Sequence, residues 1–346
     1  MRFGKVPSVV RWIAVCLFAS SAGVAGAPPA RDDAVTPAVQ ASVLRGLSYL
    51  ARQQQPDGSF TGLDEPGPRI APAAEVMLAY LSAGQGPRVG RYALSMRNVI
   101  EFVLRQLPDD GGFGAADGSG SEGQAMITIA LAECYGFETD STARASLREA
   151  LDRSKQYILA GQDQKQGGWV ADGKRDADLV TTFWMTLSLH ALADAGMDIP
   201  PASLERAAAF ALVRQKVKGS GFADQNAETS PASNAAALVI IRLSHANGGA
   251  RISPALKYLV DQKPDAAKAD FHTALYIDTV AAFLWGEPSW TLSWKGAMER
   301  LISKQTEDGS WFPPVAPAIG LGTVSATAKA VMTLTVPYRL LPLYEH

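Results

Sequence analysis

A short phrase recurs along this chain and limits what it can fold into. Gln53-Gln54-Gln55-Pro56-Asp57-Gly58-Ser59-Phe60 stands near the start and Gln305-Thr306-Glu307-Asp308-Gly309-Ser310-Trp311 near the end. Weaker copies lie at 106–113, 162–169 and 215–222. Self-similarity at long period marks a repeat architecture, in which each unit buries its apolar face only by stacking on its neighbours. Each copy follows an amphipathic helical stretch (43–54, 99–106, 151–161, 204–215, 297–305) and precedes a more apolar one (123–135, 179–195, 233–243, 325–336). Leu44, Leu47 and Leu50, and Leu147, Leu151, Ser154 and Ile158, follow the spacing of one buried helix face. The second stretches are apolar on most of their circumference, as inner helices are.

The phrase has the chemistry of a clasp between helices. Glycine after the last turn supplies the left-handed residue that ends a helix, and Asp-Gly supplies a tight turn. A glutamine can satisfy free carbonyls at the helix end, and the closing Phe or Trp covers the joint. A fifth, degenerate unit has an outer helix over 254–262, with 263–270 in place of the clasp and an inner helix resuming at His272. Six outer and six inner helices close most simply as a ring with the inner helices around a central cavity, and an open solenoid is the rival. The expectation is an all-α, (α/α)6 toroid of six helical hairpins over 37–346, with the apolar residues 337–344 packed back on the ring.

Residues 1–26 read as an export signal: Arg2, Lys5 and Arg11, an apolar core over 12–24, then small residues ending at Gly26 or Ala27. The apolar run is too short to favour a lasting membrane span. Residues 27–36 read as a disordered lead-in. The leader carries three of 32 basic residues against 34 acidic ones, so the remaining chain is acidic and does not attract nucleic acid. It also carries one of the two cysteines, which leaves Cys134 with no partner for an internal disulfide.

The Gln-x-x-Asp-Gly-Ser-Trp/Phe phrase resembles the repeat signature of the prenyltransferase and squalene oxidase repeat family. The α/α-toroid of that family is shared by squalene-hopene cyclases and protein prenyltransferase β-subunits. Further stretches, Ala130-Leu131-Ala132-Glu133-Cys134-Tyr135-Gly136 and Gly167-Gly168-Trp169 followed by Asp176-Ala177-Asp178, are similar to exported single-toroid bacterial members. The resemblance implies an apolar, isoprenoid-like ligand in the central cavity. Squalene-hopene cyclases use an Asp-x-Asp-Asp motif whose middle acid protonates an alkene. Asp178 matches the middle position and Asp176 the first, but Leu179 replaces the last. The bland reading of the same residues is helix capping, because Ser119 or Ser121, Ser230, and Thr323 or Ser325 stand at comparable places. His272 and Tyr276, four apart on one face, are a second candidate pair, His272 as a proton donor or ligand and Tyr276 as a pocket wall. Trp184 and Tyr276 are candidate lining residues whose faces can stabilise cations. Glu75, Glu122, Glu133 and Asp278 are acids within or at the mouth of inner stretches, and a facing pair would suit sugar chemistry.

The zinc site of protein prenyltransferases takes an Asp, a Cys and a His from inner helices, and this chain has no Asp-x-Cys pair. No metal or cofactor is expected. The favoured reading is thus an exported toroid binding an isoprenoid-like molecule, with acid-initiated cyclisation or isomerisation at Asp178, assisted by Asp176, as an extension. The other readings are a non-catalytic scaffold for a protein or envelope polymer, and a glycan-processing (α/α)6 enzyme.

Overall fold

The computed structural model describes residues 34–60, 70–216, 221–313 and 322–341. In chain order its helices are α1 (Pro37–Arg52), α2 (Ile70–Ser82), α3 (Ala93–Arg105), the short α4 (Phe113–Asp117), α5 (Gly120–Phe137), α6 (Ser141–Ala160) and α7 (Leu179–Asp194). They continue with α8 (Pro201–Leu212), α9 (Pro231–Leu243), α10 (Ile252–Asp261), α11 (Phe271–Trp285), α12 (Ser289–Lys304) and α13 (Thr323–Leu334). Among the described residues, extended pairing is limited to isolated bridges, three of them within clasps.

Six hairpins are formed by α1–α2, α3–α5, α6–α7, α8–α9, α10–α11 and α12–α13. The second helices pack in the cyclic order α2, α5, α7, α9, α11, α13 and back to α2, while α12 meets α1 on the outside. The ring is closed. Inner helices are buried on nearly every side, as their uniform apolarity requires. Outer helices bury one stripe. In α1 that stripe is Val39, Val43, Leu47 and Leu50, and Leu44 falls on the solvent side, so the expected face is rotated by about one residue. In α6 it is Leu147, Leu151, Ser154 and Ile158, as the spacing predicts. Each fully buried aliphatic side chain contributes about 1.5–3 kcal/mol.

The clasps join one repeat to the next. Gln54 Nε2 donates to Gly58 O in its own clasp at 3.1 Å and to Ser95 O on the next outer helix at 2.9 Å. Gln162 does the same to Gly167 O (2.8 Å) and Ser203 O (2.9 Å). Gln305 donates to Gly309 O (3.0 Å) and, across the chain's two ends, to Ser42 O (2.9 Å). Its side-chain oxygen accepts from Ser42 Oγ and from Arg45. The same device that stacks neighbours therefore closes the ring. In the clasps at 106–113 and 215–222 an amide of the inner helix takes part: Gln124 donates to Gly111 O, and Asn234 donates to Ala255 O while accepting from Phe222 N. Gly309 has φ +94, and a Cβ there would lie 2.5 Å from Arg45 O, so glycine is required by both conformation and space.

The aromatic lids seal these joints. Trp311 is buried, donates its indole N–H to Leu301 O at 2.8 Å, and takes its backbone partner from Thr327 Oγ1. Trp169 repeats the pattern with Ile158 O and Thr182 Oγ1. After α13 the chain turns through Val336 and Pro337, both buried, to a buried Leu341, in keeping with a terminus packed on the ring. The expected leader lies outside the described residues, as does most of the expected lead-in. Its last residue, Thr36, caps α1 by accepting from Val39 N.

Candidate functional site

Two groups of side chains meet inside the ring, one joining α7 to α11 past α9 and the other, on the opposite side, joining α13, α2 and α5. Trp184 on α7 stacks on Tyr276 on α11, with centroids 5.8 Å apart and planes at 10°, past the alanine-rich α9. Phe183 packs edge-on against Trp184. On the other side Lys329 of α13 reaches Glu75 on α2 at 2.9 Å and Glu122 on α5 at 3.5 Å. Lys329 and Glu75 are buried, whereas the Glu122 side chain is 40% exposed. Such a triad holds because each charge has a partner; removing one would leave a buried charge uncompensated.

Burial alone would lower the Lys329 ammonium, but the two carboxylates outweigh it and hold the lysine charged. Burial raises the Glu75 carboxyl, with Lys329 opposing that shift. One turn before Lys329, Ser325 lies beside Glu75. A recess of about 10 Å³, room for one water, is lined by His272, Thr273, Ser325, Ala326 and Lys329 among others. His272 is 7% exposed, and its Nε2 lies 3.4 Å from Phe312 O. Burial pushes its imidazole down to about 4, so the ring is neutral at ordinary pH and Nε2 carries the proton facing that carbonyl. Glu75 Oε2, Ser325 Oγ, His272 Nδ1 and Trp184 Nε1 are buried with no hydrogen-bond partner among the described residues. This concentration of unsatisfied polar atoms singles out the interior of the ring as the candidate site.

Asp178 stands elsewhere. It is the N-cap of α7, accepting from Thr181 N at 2.9 Å and Thr181 Oγ1 at 3.0 Å, with Lys174 Nζ at 3.1 Å. Asp224 sits beside it and accepts from Leu179 N at 2.8 Å, so two carboxylates share the start of one helix. Burial, with Asp178 nearby, raises Asp224. Asp176 is exposed. The capping geometry and the acid reading both fall on Asp178, and its two oxygens are engaged as acceptors. Of the other expected caps, Ser230 caps α9 in the same way, within a reciprocal box with Ser233, whereas Ser119 makes no cap bond to α5 and Gly322, rather than Thr323 or Ser325, is the N-cap of α13.

The structure thus brings together Glu75, Glu122 and His272 around Lys329, and Trp184 with Tyr276, and leaves Asp176 and Asp178 at a separate place on the rim. Lys329 was overlooked in the sequence, although it is the single charged residue in α13 and so had a signal. Glu133 lies half-buried toward the far end of α5, beside the buried Cys134. Asp278 is buried on α11, with Lys263 and Arg300 as its charged neighbours. No described helix is long and apolar enough to cross a membrane.

Comparison with known proteins agrees with this architecture. Among solved structures, the type II terpene cyclase MstE from Scytonema superposes with a TM-score of 0.61 at 12% identity, covering 88% of this chain and 100% of that one. The GH76A alpha-1,6-mannanase from Salegentibacter sp. HEL1_6 gives 0.61 at 13% identity, over 87% of this chain and 99% of that one. A glycosidase variant in complex with glucose gives 0.60 at 13% identity, over 91% and 100%. These likenesses establish the fold alone. Among curated proteins none matches in sequence. The prenyltransferase alpha-alpha toroid domain matches residues 36–310, from the cap of α1 to the last clasp. With six closed hairpins, clasp-joined repeats and that match over most of its length, the chain belongs to the prenyltransferase alpha-alpha toroid family.

Proposed function

We propose that this is an exported protein that binds an isoprenoid-like amphiphile inside the ring, its chain against Trp184 and Tyr276 and its polar end toward Lys329. The observation that carries the reading is the pairing, across one axis, of a stacked aromatic wall with a buried lysine. Aromatic faces suit an unsaturated chain and any cation formed along it. The lysine suits a carboxylate. Of its two partners, Glu122 is the longer contact and the more exposed, so an anionic head group replaces Glu122 rather than Glu75. Binding parts the Trp184–Tyr276 stack, which is sealed in the free protein. One similar structure, a variant of the Scytonema cyclase, holds geranylgeranyl dihydroxybenzoate as its substrate, a prenyl chain on an acidic ring. That likeness supports the reading at the level of ligand class. Acid chemistry at Asp178 is a further step, which requires that carboxyl to be freed from its cap and from Lys174.

The test compares geranylgeranoic acid with geranylgeraniol by calorimetry on the purified protein. The acid is expected to bind tighter than the alcohol by about tenfold, the worth of one charge-assisted contact. Glu122→Gln should widen that preference by leaving Lys329 less neutralised. Equal affinity for the two probes, or no binding of either, would overturn the proposal.

A second reading has its own observation. Glu75 and Glu122 share Lys329 in different surroundings, one buried and one 40% exposed, and carboxyls in unlike surroundings suit the acid and base roles of glycoside hydrolysis. Hydrolysis of an α-1,6-mannan by the wild type, lost in Glu75→Gln, would put this reading in place of the first.

A further inference from the structure

A second concavity of about 780 Å³ lies on the rim, between the turn that links α10 to α11, the end of α12 and the last clasp. Lys263, Arg300 and Lys304 line it, with Asp265 as its one acidic residue. None of the three cations has an ion-pair partner among the described residues. Lys263 donates to Leu259 O and Ser293 Oγ, and Arg300 donates to Pro264 O, so their charge is held in place by neutral groups. The groove therefore sets three cations against Asp265 in its lining and the buried Asp278 behind Lys263 and Arg300, a positive balance. Phe271, Trp311 and Phe312 form its apolar side, and Phe312 is 65% exposed.

His272 is the wall between this groove and the recess inside the ring, since it lines both. Its Nε2 faces Phe312 O, which leaves Nδ1 as a buried hydrogen-bond acceptor with no partner. An acceptor of that kind needs an O–H or N–H donor. A simple carboxylate brings none, whereas a sugar brings hydroxyl donors and an apolar ring face that stacks on an aromatic side chain. The geometry points to a binding site for an acidic saccharide, with its carboxylates on Arg300, Lys263 and Lys304, a sugar ring on Phe312 and a hydroxyl toward His272. This site is separate from the one proposed inside the ring and does not depend on it.

Tetragalacturonate is the probe, maltotetraose its neutral control and inorganic phosphate the competitor. Calorimetry at low salt should give saturable binding of tetragalacturonate that weakens as salt is raised, with maltotetraose weaker by about tenfold or more. Lys304→Gln and Phe312→Ala change exposed side chains, so both variants should keep the wild-type circular dichroism and melting profile, and each should weaken binding by about tenfold. Geranylgeranoic acid should bind these two variants as it binds the wild type. Failure of tetragalacturonate to bind, equal binding of the neutral sugar, no effect of either variant, or full displacement by equimolar phosphate would each overturn the assignment.

Discussion

Asp278 offers a sharp test of how this ring is assembled. Its carboxyl is buried on α11 with Oδ1 lacking a partner, and its charged neighbours are Lys263 and Arg300. Lys263 spends its bonds on Leu259 O and Ser293 Oγ, so it relieves the carboxylate only at a distance. Burial therefore prevails and pushes the carboxyl from its usual 3.8 up to about 7. A raised acid binds its proton more tightly in the folded chain than in the unfolded one. Below about pH 4 it costs nothing; stability is lost as pH rises to about 7, and the full cost is about 4 kcal/mol. Asp278→Asn keeps the shape and removes the titration. Urea unfolding followed by circular dichroism should find the variant more stable than the wild type, with a gain that grows by about 2–3 kcal/mol between pH 5 and pH 8.5. A gain that is the same at both pH values, or a loss at pH 8.5, would refute the reasoning.

His272 works in the opposite direction. Its imidazole is lowered to about 4, chiefly by burial, so the folded chain refuses a proton that the unfolded chain takes up. Stability should fall by about 3 kcal/mol as pH drops from about 6.5 to below 4, and His272→Gln should flatten that limb in the same urea series. Gln305→Ala removes the bond to Ser42 O that ties the chain's two ends together and the bond to Gly309 O within the clasp, and should cost about 2–3 kcal/mol. A loss under about 0.5 kcal/mol would contradict the closing role of that clasp. Asp178→Asn should fold as the wild type does, while Asp178→Ala should lose about 1 kcal/mol of helix capping, read from thermal melts. Any acid-initiated turnover of a prenyl substrate that survives Asp178→Asn removes that residue as the proton donor.

The fold was legible because each repeat states its own grammar. Glycine and the lid aromatic mark every complete joint, and a one-sided outer helix next to an apolar inner one has few ways to bury its faces except as a stacked ring. The exact face of α1 was less legible. Leu44 and Leu47 are both leucine, and only packing against α13 and the last clasp decides that Gly46 and Leu47 turn inward. The part played by the inner-helix amides of Gln124 and Asn234 was also hidden, since each joins residues on different elements through a backbone carbonyl.

The site was less legible still, for a geometric reason. Trp184 and Tyr276 were visible as inner-helix aromatics, but their stack exists because α7 and α11 face each other across α9. Glu75 and Glu122 were visible as acids, yet the lysine that unites them comes from the opposite end of the chain. Asp178 drew attention through a motif, and that same position is where a helix needs a cap. Sequence spacing resolves neighbours along one helix; it does not resolve what meets across the axis of a ring.

The central claim is that the inside of this ring, lined by Trp184, Tyr276 and Lys329, is where the ligand sits. Photo-crosslinking with a diazirine-bearing geranylgeranoic acid, followed by peptide mapping, tests it directly. Labels on α7 and α11, competed away by unlabelled geranylgeranoic acid, are the predicted result. Labels confined to the outer helices, or insensitive to that competitor, would contradict it.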